Sequence, residues 1–167
     1  MKLNQKEQLL LQDQKKHEEL CVQKYQSYAE QAQDPQLKQL FNSLGQQEQQ
    51  HLNSVNQILS GQVPNMQQNQ QQQQQNQLQQ QNQLQQQQYQ MSQFGPGQGV
   101  ITNKQDADLC NDMLLTEKYI SNTYDNTIFE CTDSNIRQVL NHIQKEEQQH
   151  GEKIFNYMKN NGMYNPQ

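Results

Sequence analysis

Four residues, Glu-Gln-Gln-His, occur twice in this chain, as Glu48–His51 and as Glu147–His150. On a helix, a Glu and a His three positions apart lie on one face, one turn from each other. A carboxylate and an imidazole so placed can both ligate one cation. Two further glutamates complete the pattern. Glu18 stands 30 residues before Glu48, and Glu117 stands 30 before Glu147. Residues equidistant from the turn of an antiparallel helical hairpin lie side by side, and both midpoints, near 33 and 132, fall on breaks in the helical pattern. Glu18, Glu48, His51, Glu117, Glu147 and His150 are therefore the candidate metal ligands. Four carboxylates alone would repel one another and retain protons. Two divalent cations would balance their charge, and iron and manganese both accept this mixture of carboxylate and imidazole.

The elements that must position these residues are legible as four helical runs. Residues 4–32 lack Gly and Pro and are rich in Leu, Gln, Lys and Glu, which favours helix. Asp34-Pro35 supplies an N-cap and a first helical residue for a run over 35–59, which ends at Ser60-Gly61. A third run covers 104–131 and a fourth 135–160, with Thr132-Asp133-Ser134 between them and Asn160-Asn161-Gly162 after. Residues 4–60 thus form one hairpin and 104–160 a second. The intervening 61–103 is Gln/Asn-rich, with 18 Gln in the 24 positions 67–90. It reads as a low-complexity linker, either a solvated spacer or a carrier of Gln and Tyr side chains for cross-linking.

The hairpins read as copies. Shifted by 99 residues, Leu10 meets Leu109, Asp13 meets Asp112, Glu18 meets Glu117, Tyr25 meets Tyr124, Asp34 meets Asp133, and EQQH falls on EQQH. Internal duplication is the simplest explanation. Each run carries one apolar stripe at bundle spacing: Leu11, Val22, Tyr25, Ala29 and Ala32; Leu37, Phe41, Leu44, Val55 and Ile58; Cys110, Leu114, Ser121, Tyr124, Ile128 and Cys131; Ile136, Leu140, Ile143, Ile154 and Tyr157. The six candidate ligands interrupt these stripes, so they sit where core is expected. Burying an unpaired carboxylate costs several kcal/mol, which argues for a compensating ligand. The expected fold is all-α, a four-helix bundle of two duplicated hairpins joined by a long crossover. Tyr25 and Tyr124, two turns from the glutamates, read either as core or as hydrogen-bond donors to the ligands. His17, Glu19, His142 and Glu146 read as solvated neighbours, and Asp13 and Asp112 as helix surface.

Composition narrows the rest. A net charge of −5 disfavours a phosphate-tracking surface, so nucleic acid is not expected as a partner. No stretch approaches the roughly 18–20 apolar residues of a membrane span, and MKLNQKEQLLLQDQ lacks a signal core; synthesis and retention on the cytosolic side are expected. Cys21, Cys110 and Cys131 form no CxxC pair and read as small buried hydrophobes.

The segments YQSYAEQAQDPQLKQLFNSLGQQEQQHLNSVNQIL and IFECTDSNIRQVLNHIQKEEQQH carry a Tyr-rich first helix, an Asp-Pro-x-Leu turn, Leu-x-x-Phe and Glu-x-x-His. In these features the chain resembles the spore coat protein F family of endospore-forming bacteria, over about 5–60 and 104–160. The resemblance implies a ferritin-like bundle and a structural component of the endospore coat. It further implies manufacture in the mother-cell cytoplasm, assembly with other spore coat proteins, and a homodimer as a candidate assembly. It also implies that Glu48 and Glu147 bridge the metal pair. The bundle resembles manganese catalases, rubrerythrins and bacterioferritins as well, although the rubredoxin-type cysteine pairs are absent. Two functions of different class therefore stand: a structural coat protein, and a di-iron or di-manganese redox enzyme of catalase or oxidase type.

Overall fold

The computed structural model describes residues 2–64 and 103–164; most of the expected linker, 61–103, lies outside the described residues. Those described form one compact unit of four α-helices: α1 (Gln5–Gln31), α2 (Pro35–Leu59), α3 (Lys104–Glu130) and α4 (Ser134–Asn160). The all-α expectation is met, with no strand among the described residues. The duplication is visible in the helix bounds: α1 and α3 begin and end 99 residues apart, and α2 and α4 begin 99 apart.

Each helix starts where a short polar side chain can occupy the first free backbone N–H groups. Asn4, Asp34, Asn103 and Asp133 all cap in this way, and Asn4 forms a capping box with Glu7. The α2 helix ends on Gly61 at φ 84°, and the chain turns after α4 on Gly162 at φ 67°, a conformation that costs glycine nothing.

The hairpins α1–α2 and α3–α4 are the closest helix pairs; α1 also lies against α3, and α2 against α4. Two acids lock the hairpins together at opposite ends. Asp106, in the first turn of α3, accepts from the backbone N–H of Gln33 and of Asp34, both at 2.9 Å, in the α1–α2 turn. Glu7, in the first turn of α1, accepts from the N–H (2.7 Å) and hydroxyl (2.8 Å) of Thr132 in the α3–α4 turn. Asp106 and Glu7 are themselves twins under the 99-residue shift. These contacts make α1 and α3 antiparallel and set α2 and α3 parallel. The end of α2 and the start of α3 therefore stand at opposite ends of the bundle, about 38 Å apart at ~1.5 Å rise per residue.

One apolar layer, built from Tyr25, Leu37, Phe41, Leu44, Met113 and Ile154, fills the end near the α1–α2 turn. Leu11, Val55, Ile58, Ile136 and Leu140, all fully buried, fill the other. Gly45 lets α2 approach α1 closely: a Cβ there would lie 3.1 Å from Cβ of Tyr25. The stripe expected on α3 needs one correction. Met113 and Ile120 are in the core, whereas Leu114 and Ser121 are only half-buried. Positions three and four residues before Glu117, and three and four after it, satisfy the helical period equally well. Packing of α4 on α3 selects between them. Cys21, Cys110 and Cys131 are buried free thiols, as expected.

Candidate di-metal centre

Glu18 and Glu117 stand at the midpoints of α1 and α3. Glu48 with His51, and Glu147 with His150, lie one turn apart on α2 and α4. All six residues are at most 2% exposed, between the two apolar layers. They converge into two overlapping groups whose ligand atoms lie within 4.8 Å of one another. Glu18, Glu48, His51 and Glu147 form one; Glu48, Glu117, Glu147 and His150 form the other. Glu48 and Glu147 are common to both.

Each hairpin completes the other's half. Nδ1 of His150 lies 2.6 Å from Oε1 of Glu48, and Nδ1 of His51 lies 2.8 Å from Oε1 of Glu147. The imidazole rings stack with centroids 5.5 Å apart. The hydroxyl of Tyr25 on α1 donates to Glu117 on α3, and that of Tyr124 on α3 donates to Glu18 on α1. Both tyrosines are thus core residues and hydrogen-bond donors to the cluster at once.

The electrostatics are those of a carboxylate cluster short of countercharge. Burial, then the charge of Glu48, raises the carboxyl of Glu18 well above its usual range. Burial, then Glu147, does the same to Glu117. Burial, then Glu117, raises Glu48. Glu147 is pushed up to about 8 by burial and by Glu48 and Glu18. Burial drops His150 to about 3. Burial also opposes protonation of His51, but hydrogen bonding to Glu146 and the nearby Glu147 and Glu48 hold it well above the ordinary imidazole value. Despite this crowding, Oε2 of Glu18, Glu48 and Glu117, both carboxylate oxygens of Glu147 and Nδ1 of His51 make no hydrogen bond among the described residues. Even the 2.8 Å approach of His51 to Glu147 lacks hydrogen-bond geometry. Buried polar atoms are ordinarily paired. Six unpaired lone-pair atoms in one cluster are a donor set that could hold a metal ion.

Residues around the cluster depart from expectation in instructive ways. Glu146, expected on a solvated face, is buried and lies 2.9 Å from Nε2 of His51 through Oε2. Its position on α4 faces α2, which a reading of α4 alone cannot detect. Burial works to raise its carboxyl, yet His142 and His51 hold it far below the usual range. His142 is half-buried, 3.3 Å from Oε1 of Glu146. His17 is half-buried with its ring edge-on to Tyr119. Asp112, read as helix surface, accepts from the Tyr28 hydroxyl at 2.8 Å and pairs with Lys24 at 2.6 Å; Asp13 is exposed and Glu19 pairs loosely with Lys15 at 3.7 Å. Gln14, a polar interruption in the apolar stripe of α1, is buried and bonded to Thr127 at 2.9 Å and to Thr123 at 3.2 Å.

Between α3 and α4 a groove of about 710 Å³ opens beside the cluster. Leu114, Ser121, Gly151 and Phe155 line its walls, and Glu117 and Glu147 contribute to its lining from within. A small molecule could approach those carboxylates from solvent through it.

The helices, cap chemistry and Glu-x-x-His of α3 and α4 occupy the segment to which one known family corresponds. The family model of the Coat F domain matches residues 105–167. Residues 105–167 are thus similar to the Coat F domain. This supports the resemblance to the spore coat protein F family drawn from its motifs, and with it a structural role in the spore coat and assembly into that layer. The Coat F match covers the second hairpin; the first repeats it in helix bounds and in the glutamates, histidine and tyrosine that meet at the centre. No curated protein and no solved structure matches the chain. No helix among the described residues is long and apolar enough to cross a membrane.

Proposed function

We propose that this Coat F protein is a structural component of the endospore coat whose ferritin-like bundle is held together at its middle by two divalent cations, iron or manganese. The observation that supports it is the group of six buried, unpartnered lone-pair atoms contributed by Glu18, Glu48, His51, Glu117 and Glu147. Four carboxylates and two imidazoles are the donor set of carboxylate-bridged two-metal bundles. Glu18 and His51 would hold one ion, Glu117 and His150 the other, with Glu48 and Glu147 shared. Bound cations supply the positive charge that these carboxylates otherwise lack and, with iron or manganese, a redox couple. The protein's own groups do the rest. Tyr25 and Tyr124 fix one oxygen each of Glu117 and Glu18, which aims the other oxygen inward. Glu146 fixes the ring of His51 with Nδ1 inward. The apolar layers on both sides exclude water and keep the ligands from swinging away.

Purification without chelators followed by elemental analysis tests this reading. Two equivalents of iron or manganese per chain are expected, with loss of both in the double variant Glu48→Gln, Glu147→Gln. A chain that takes up neither metal, and whose melting temperature neither metal changes, overturns the cation site and leaves a metal-free scaffold in the coat.

The groove beside Glu117 and Glu147 favours a second reading, a redox enzyme of catalase or oxidase type, because a purely structural centre has no use for an opening. Peroxide consumption by the metal-loaded chain, lost when Gly151→Leu narrows the groove, is its signature. Absence of turnover in a loaded protein excludes it.

A further inference from the structure

Duplication would make the two halves of the centre equivalent, but three twin pairs around it are not. Glu146 on α4 corresponds to Gln47 on α2, Lys153 to Ser54, and Gly151 to Leu52. All three differences set the His51 half apart from the His150 half. Nε2 of His51 meets the buried carboxylate of Glu146 at 2.9 Å. Nε2 of His150 is buried and has no hydrogen-bond partner among the described residues. In place of a second carboxylate there, the amide oxygen of Gln47 accepts from Nζ of Lys153 at 3.2 Å, which brings a cation to that flank. Gly151 lies against α3 where a Cβ would meet Leu114 at 3.6 Å and Glu117 at 4.0 Å, so any longer side chain would reach into the groove. The groove reaches Glu117 and Glu147, and Glu117 belongs to the His150 half alone.

Resting on the two-cation reading, we infer that the centre loads in order: a tight subsite formed by Glu18 and His51 with the shared Glu48 and Glu147 fills first, and a weaker, exchangeable subsite formed by Glu117 and His150 with the same shared pair fills second and faces the groove. A carboxylate on the outer nitrogen of a ligating imidazole makes the inner nitrogen a better donor and fixes its direction. Losing such a partner typically weakens metal affinity 10–100-fold. A nearby ammonium works the same way by repulsion. The His51 half has the carboxylate; the His150 half lacks it and has the ammonium. An exogenous anion or peroxide arriving through the groove would therefore meet the weaker subsite.

The test is a Zn²⁺ titration of the full metal-free chain followed by the ring nitrogen resonances of His51 and His150. The His51 signals are expected to move during the first equivalent and those of His150 during the second, with dissociation constants about 10–100-fold apart. Glu146→Gln should bring the two steps together, and Lys153→Ser should tighten the second. If Glu146→Gln fails to fold, Lys153→Ser alone decides. Both rings responding together, or His150 responding first, overturns the ordered loading while leaving the two-cation centre intact. No response from either ring overturns the centre and this inference together.

Discussion

At the scale of single residues, the centre is a balance of burial against charge. The double variant Glu48→Gln, Glu147→Gln removes two carboxylates at nearly constant volume. It should abolish metal uptake by elemental analysis while keeping the helical circular dichroism spectrum, because the apolar layers above and below are untouched. The metal-free wild type should show a specific pH dependence. Glu18, Glu48, Glu117 and Glu147 are all raised by burial and by one another, Glu147 to about 8. A carboxyl with a raised folded-state pKa contributes stability that is complete below the unfolded value and lost as pH rises through the folded value. His51, also raised, acts in the same direction. His150, lowered to about 3, acts oppositely, but only below the unfolded imidazole value of about 6.5. Between pH 6.5 and 8.5 the first group acts alone, so the melting temperature of the metal-free chain should fall across that window. A flat or rising profile in calorimetry would contradict the buried, uncompensated carboxylates.

At the scale of elements, the hairpins are tied by reciprocal acids rather than by their own turns. Asp106 accepts two backbone N–H groups of the α1–α2 turn, Gln33 and Asp34. Asp106→Ala leaves those donors without their acceptor and should cost about 1–3 kcal/mol in urea denaturation. The twin, Glu7, has a lowered carboxyl: burial works to raise it, but the donors of Thr132 and Asn4 prevail. Its contribution is present above the unfolded carboxylate value and lost as pH falls through the folded one. Glu7→Gln should therefore flatten the acid limb of the stability profile. Gly45 is the other element-scale constraint. A methyl group there meets Cβ of Tyr25 at 3.1 Å, tight enough to push α1 from α2. Because Tyr25 also donates to Glu117, Gly45→Ala should lower both the denaturation midpoint and metal affinity. A fall in stability by about 1–3 kcal/mol with unchanged metal affinity would show that the tyrosine does not position the ligand.

At the scale of the whole molecule, the proposed cation binding would make binding and folding one equilibrium. The candidate ligands come from all four helices, so no unfolded or half-folded chain presents them together. A cation that binds only the folded form stabilises it by about 2.7 kcal/mol at a free concentration 100 times its dissociation constant. Added Mn²⁺ should raise the melting temperature in a concentration-dependent way, and a chelator should reverse it. The coat role adds a consequence for assembly. Spores carrying Glu48→Gln, Glu147→Gln should release more of this protein to detergent extraction than wild-type spores do, if a cation-tightened bundle is the form that the coat retains. Equal extraction would separate the centre from assembly.

The four helices, their caps, the hairpin pairing and the convergence of Glu18, Glu48, His51, Glu117, Glu147 and His150 were all legible in the sequence. Each rests on local periodicity or on equal spacing from a turn, and a polar residue inside an apolar stripe stands out without coordinates. Only the tertiary structure decided what lies one residue off the stripe. Whether Met113 or Leu114 faces inward depends on the angle at which α4 packs on α3. That Glu146 is buried depends on α2, whose His51 is 95 positions away in the chain. The pairing of Glu7 with one turn and Asp106 with the other depends on α1 and α3 running antiparallel. The difference between the two halves of the centre is of the same kind. Gln47 and Glu146 are both ordinary helix residues in isolation, and only the neighbouring helix makes one of them a partner for a ligand's outer nitrogen and the other an acceptor for a lysine.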